Sequence, residues 1–161
     1  MSRPAVASFV DSFFTRTLFQ ADDELAASVL ARELDPDARI FVSLETRITN
    51  DIHATHVNHL LFALMKINGN VLSSADFTQL ITTRFRSGQR ASITEIKDLN
   101  IVTTNDAGST GVVGQWTSYI TVGKDDGKKL RQSATTIVEV EERHGKFLVT
   151  ALYEVQTTDD N

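Results

Sequence analysis

The chain has no cysteine. Disulfides, thiolate metal sites and cysteine nucleophiles are excluded, and a reducing, cytoplasmic setting is the expectation. A strong basic face is also lacking. The formal net charge is −5. The largest cationic group, Lys124, Lys128, Lys129 and Arg131, shares its turn with Asp125 and Asp126. A duplex-binding protein needs a basic surface, so no nucleic-acid partner is expected. Long apolar runs are missing too. Leu60–Met65 is the longest, far short of the roughly 20 residues that span a bilayer. The apolar N-terminal stretch is broken by Ser8, Asp11 and Ser12, which argues against a secretory signal. Gly108, Gly111 and Gly114 fall in a β turn and strand rather than before a helix, so they form no phosphate loop. No GxSxG nucleophile elbow occurs.

What is present suits a globular domain. Apolar residues make up 41% and charged residues 23%, a balance that can form a core. The reading is one domain over 1–156 and a frayed acidic tail over 157–161. Pro4 is suited to a helix start, and Val6, Phe9, Val10 and Phe13 recur at helical spacing to about Phe19. Asp22, Asp23 and Glu24 open a second helix, and Asp35-Pro36 ends it. Ala38–Leu44 reads as a strand. Residues 50–70 and the stretch from Ser73 to Gly88 read as two further helices, with Asp76 part of the latter's start. The period then becomes that of strands, over about 92–104, 111–123, 128–142 and 146–156. Short turns at Asn105–Gly108, Asp126-Gly127 and His144-Gly145 make these strands antiparallel. Strands this long must twist and bend. The fold class is α+β: helices packed in the concave face of a strongly curved antiparallel sheet.

Two-residue turns at Asp126-Gly127 and His144-Gly145 set a definite register. Tyr119 then lies opposite Ala134, Thr117 opposite Thr136 and Gln115 opposite Val138. Likewise Thr136 faces Tyr153, Val138 faces Ala151 and Val140 faces Val149. One face, mostly small or apolar with isolated hydroxyls, suits the concave side. The other carries Trp116, Ile120, Ile137, Leu148 and Leu152, an apolar patch that marks a partner surface. A bulge would swap part of each set.

The element order and the closing hairpin, Glu141-Glu-Arg-His-Gly-Lys-Phe147 between two β runs, resemble the nuclear transport factor 2-like superfamily. That group includes ketosteroid isomerases, scytalone dehydratases and SnoaL-like polyketide cyclases. The resemblance implies a cone-shaped fold and a pocket for a hydrophobic polyketide- or terpenoid-like molecule. It also implies isomerase, cyclase or dehydratase chemistry without an organic cofactor, and a homodimer through the convex sheet face. The alternative is a non-catalytic ligand-binding or dimerisation module. The chain departs from its enzymatic relatives. Ile40–Ser43 carries no carboxylate where ketosteroid isomerases place a general-base aspartate, and Thr135, Thr136 and Ile137 stand where they carry a protonated one. Thr136 and Gln115-Trp116 replace the asparagine and one histidine of scytalone dehydratases. The Asp-Arg-Asp arrangement of limonene epoxide hydrolase is not evident either.

The candidate catalytic residues are His53, His56, Tyr119 and Tyr153. An imidazole near its reference pKa suits proton transfer, and hydroxyls on an apolar wall can stabilise an oxyanion. The candidate substrate-binding residues are Gln115, Thr117, Thr136, Val138 and Ala151, all on the expected inner face. His53, His56 and His59 form HxxHxxH, but the outer two point about 120° apart and sit about 9 Å apart along a helix. No metal site is expected from them. Surface histidines and structural hydroxyl hydrogen bonds remain the plainer alternatives.

Overall fold

A computed structural model describes residues 3–45 and 71–159. Its described elements are helices α1 (Ala5–Thr17) and α2 (Asp23–Glu33), strand β1 (Leu34–Glu45), helix α3 (Ser74–Gln79), and strands β2 (Gln89–Thr103), β3 (Gly111–Gly123), β4 (Lys129–Arg143) and β5 (Lys146–Asp159). A π-helical segment, Leu80–Phe85, and a closing turn, Arg86–Gly88, join α3 to β2. The expected helix over 50–70 lies outside the described residues.

Local chemistry accounts for the helix starts. The Asp22 carboxylate accepts from the Leu25 N–H at 3.0 Å and caps α2. Ser73 and Asp76 form a reciprocal capping box at the start of α3. Helix α1 buries Val6, Val10, Phe13 and Phe14 along one stripe. Arg16 clamps α1 to α2 through a bidentate pair with Glu33, both contacts 2.7 Å.

The sheet order is β1-β5-β4-β3-β2, with β1 parallel to β5 and the other pairs antiparallel. Helices cover one face of it. The main core joins α1 and α2 to Ile40, Val113, Val138, Val140, Val149 and Leu152. Each of these six sheet residues is at most 1% exposed. The N-terminal half of the concave face is therefore filled with side chains.

The register departs from the sequence reading in two places, with different consequences. Gly123 N–H donates to Lys128 C=O at 2.9 Å, so residues 124–127 form a four-residue loop. Thr117 pairs with Ala134 and Gln115 with Thr136, a slip of two that keeps every side chain on its expected face. The His144-Gly145 turn has two residues as expected, both at positive φ (52° and 74°). Beyond it a bulge at Thr150 breaks the count: Val140 pairs with Val149, but Glu139 pairs with Ala151. From there the faces exchange. Leu152 and Glu154 move to the concave face opposite Val138 and Thr136. Ala151 and Tyr153 move to the convex face opposite Glu139 and Ile137. The frayed tail expected from Thr157 is instead strand as far as Asp159.

Candidate functional site

The concave face changes character along its length. Toward α1 and α2 it is packed apolar core. Toward the ends of β3 and β5 it becomes polar: Thr117, Tyr119, Gln132, Glu154 and Gln156 lie on it by register. Ala91, Ala134, Phe19 and Phe85 pack around Tyr119 as a second, smaller apolar cluster. The Phe19 ring meets Tyr119 edge-on, with centroids 5.4 Å apart. The π-helical segment ends on Phe85 and so delivers that ring to the site.

Glu154 is the group with the most unusual chemistry here. Part of its side chain reaches solvent, but protein crowds the carboxyl. Burial pushes its pKa up to about 7, because the charged form loses hydration. Tyr119 is 4% exposed. Burial first, and the nearby Glu154 charge second, hold its phenol well above the ordinary tyrosine value. It is a neutral hydrogen-bond donor at any physiological pH. The Gln156 side-chain amide donates to the phenol oxygen. With its lone pair engaged there, the phenol O–H is left to donate elsewhere. A carboxyl that can take or give a proton near neutrality thus shares the concave face with, and is electrostatically coupled to, an O–H donor. This pair can shuttle a proton and stabilise a negative oxygen.

The sequence-derived candidates fare differently. Tyr119 belongs to the site. Thr117 is on the same face. Gln115 is concave but committed: its amide donates to Asp11 at 2.6 Å and Asp98 at 3.1 Å, pinning α1 to the sheet. Arg3 bridges the same two carboxylates and holds Asp98 below the usual carboxylate range. The Thr136 hydroxyl donates to the Gln115 carbonyl at 3.5 Å. Val138 is closed inside the main core, fully buried, and lines no open space. Ala151 and Tyr153 leave the site altogether, because the Thr150 bulge turns them outward. Tyr153 stacks on Phe41 across the convex face, with centroids 5.2 Å apart. His53 and His56 lie outside the described residues. Sequence reasoning missed Glu154 and Gln156, which the bulge brings inward. A signal did exist: Val149 and Leu152 are the best core residues of that strand, and their odd spacing cannot be met without a bulge.

Among the described residues no group of three His, Asp or Glu side chains is placed to hold a metal. No described helix is long and apolar enough to cross a membrane.

The sequence matches no protein-family model and no curated protein. Solved structures do match. A conserved protein from Planctomyces limnophilus aligns with a TM-score of 0.61 at 9% identity, over 93% of this chain and 94% of the other. A ketosteroid isomerase-like protein from Erwinia carotovora atroseptica gives 0.60 at 9% identity, over 97% and 95%. A hexachlorocyclohexane dehydrochlorinase from Novosphingobium barchaimii gives 0.57 at 9% identity, over 97% and 86%. The fold is that of the nuclear transport factor 2-like superfamily. At such identities the likeness carries the nuclear transport factor 2-like architecture and no activity.

Proposed function

We propose that the protein is a small-molecule enzyme of the isomerase, cyclase or dehydratase type. It needs no organic cofactor and acts on a hydrophobic, polyketide- or terpenoid-like substrate on the concave face of the sheet. The observation that carries this reading is Glu154, a carboxyl with a pKa of about 7 on the same concave face as the neutral phenol of Tyr119, whose pKa feels its charge. Glu154 takes a proton from carbon next to a substrate carbonyl, or returns one. The Tyr119 O–H donates to the oxygen on which charge develops. A general acid/base works best with a pKa near the operating pH. His53 or His56 would serve as a second proton carrier. The solved structures include a ketosteroid isomerase-like protein and a dehydrochlorinase, whose names are compatible with proton-transfer chemistry on this fold.

The test needs no knowledge of the product. A panel of hydrophobic ketones and enones is incubated with the protein in D2O, and loss of α-protons is followed by NMR. Wild type should accelerate exchange for at least one compound, and Glu154→Gln should remove about a hundredfold or more of that acceleration. Exchange untouched by Glu154→Gln would remove the proposed role.

A second reading, a non-catalytic assembly module, is favoured by the convex face. Ile137 is 47% and Val155 43% exposed there, near Trp116 and the Phe41–Tyr153 stack. We propose a second copy of this chain as the occupant in either case, forming a homodimer. Arg39 and Glu139 sit together on the same face, 3.9 Å apart, and a twofold axis would set opposite charges against each other across the interface.

A further inference from the structure

Outside the cone, a recess of about 160 Å³ opens between the end of α1, the start of α2, the start of β2 and the end of β3. It is lined by Arg86, Arg90 and Lys124, by the polar residues Gln20, Gln89 and Ser92, and by Asp23 as its one carboxylate. Acidic side chains outnumber basic ones 21 to 16 in the whole chain, so three cations against one anion is a local reversal.

Among the described residues, only Arg86 of these three cations is paired with a carboxylate. Arg86 is 5% exposed. Its Nε and Nη2 both contact a single oxygen of Asp23 at 2.8 Å, and its Nη1 donates to the Thr17 carbonyl at 3.0 Å. That leaves guanidinium hydrogens uncommitted, since the group carries five. The Lys124 ammonium donates to the Arg86 carbonyl, a neutral acceptor, which fixes its position without cancelling its charge. Among the described residues neither Lys124 nor Arg90 forms an ion pair. Asp126 shares Lys124's turn, but its carboxylate accepts from the Lys128 N–H at 2.9 Å.

We infer that this recess binds the oxyanion of a small molecule, a phosphate or a carboxylate, between Arg86 and Lys124. The guanidinium supplies directed donors and the ammonium supplies charge. The volume admits one such group and a short attached fragment. This site is independent of the proton chemistry proposed for Glu154, although Phe19 and Ala91 line the recess and also pack on Tyr119.

The test is calorimetric titration of the intact protein with inorganic phosphate and, separately, with benzoate, at low ionic strength with chloride as control. Saturable one-site binding of at least one of them is expected, and the tighter of the two identifies the class. Because Arg86 also holds the end of α1, the informative variants are Lys124→Met and Arg90→Met, with folding checked by circular dichroism. Lys124→Met should weaken binding at least tenfold, and Arg90→Met less. The chemical shifts of the Gln89 and Ser92 amides should move on titration, at higher ligand concentration in Lys124→Met than in wild type. Binding no stronger than that of chloride, or equal affinity in a folded Lys124→Met protein, would overturn the assignment.

Discussion

Replacing Glu154 with glutamine should make the protein more stable at neutral and alkaline pH, by an amount that depends on pH. In the unfolded chain the carboxyl titrates near 4.5, and in the folded protein near 7. Between those values the unfolded state has released a proton that the folded state still holds. Stability therefore falls as pH rises through this window and levels off above it. The full difference, about 2.5 pKa units at about 1.4 kcal/mol each, is about 3 kcal/mol. Glutamine has the same shape and never ionises, so it lacks this cost. Urea denaturation of both proteins at pH 4, 6 and 8 measures it. The two should have similar stability at pH 4, and the variant should lead by up to about 3 kcal/mol at pH 8. A stability difference that does not change between pH 4 and pH 8 would refute the argument. It would mean that Glu154 ionises normally in the folded state.

Other predictions test other parts of the structure. Tyr119→Phe removes the acceptor of the Gln156 amide inside the fold and should cost about 1–2 kcal/mol in denaturation, while lowering any turnover. Arg3→Ala separates Asp11 and Asp98 from their shared partner and should cost about 1 kcal/mol at pH 7, discounted for the partial exposure of all three side chains. Because Arg3, and after it Gln115, hold the Asp98 pKa down, the ion pair's stabilisation is lost as pH falls through the carboxylate range. The Arg3→Ala deficit should shrink there too. Leu152→Ala should cost about 2–5 kcal/mol, since the bulge places Leu152 in the core at 0% exposure; a cost under about 1 kcal/mol would favour an outward Leu152. Ile137→Lys should convert a dimer to a monomer in light scattering, and an unchanged mass would locate the interface elsewhere.

How much of this was legible in the sequence follows from the range of the signals. Local signals read well. The helix starts at Asp22 and at Ser73–Asp76 and the His144-Gly145 turn depend on a few adjacent residues and were visible as starts and a turn, though not as a side-chain cap and a capping box. The α+β class and the curved sheet were legible because helical and alternating periods occupy separate halves of the chain. Register was less legible. The Lys124–Gly127 loop holds two residues more than Asp126-Gly127 alone implies, yet the slip is even and leaves the faces intact. The Thr150 bulge is a slip of one, and it exchanged Tyr153 for Glu154 at the site. A single inserted residue has no compositional mark, since its position is set by which neighbours must be buried together. The raised Glu154 pKa was illegible for the same reason. It depends on burial within the folded sheet, where Val42 of β1 and Thr136 of β4 flank Glu154 from other parts of the chain.

The most direct measurement is the titration of the Glu154 side-chain carboxyl by carbon-13 NMR, assigned by comparison with Glu154→Gln. The account predicts a midpoint of about 7, accompanied by a shift of the Tyr119 ring resonances as the neighbouring charge appears. A midpoint near 4.5, with Tyr119 unresponsive, would contradict the claim that the sheet holds a proton-transfer group on its concave face.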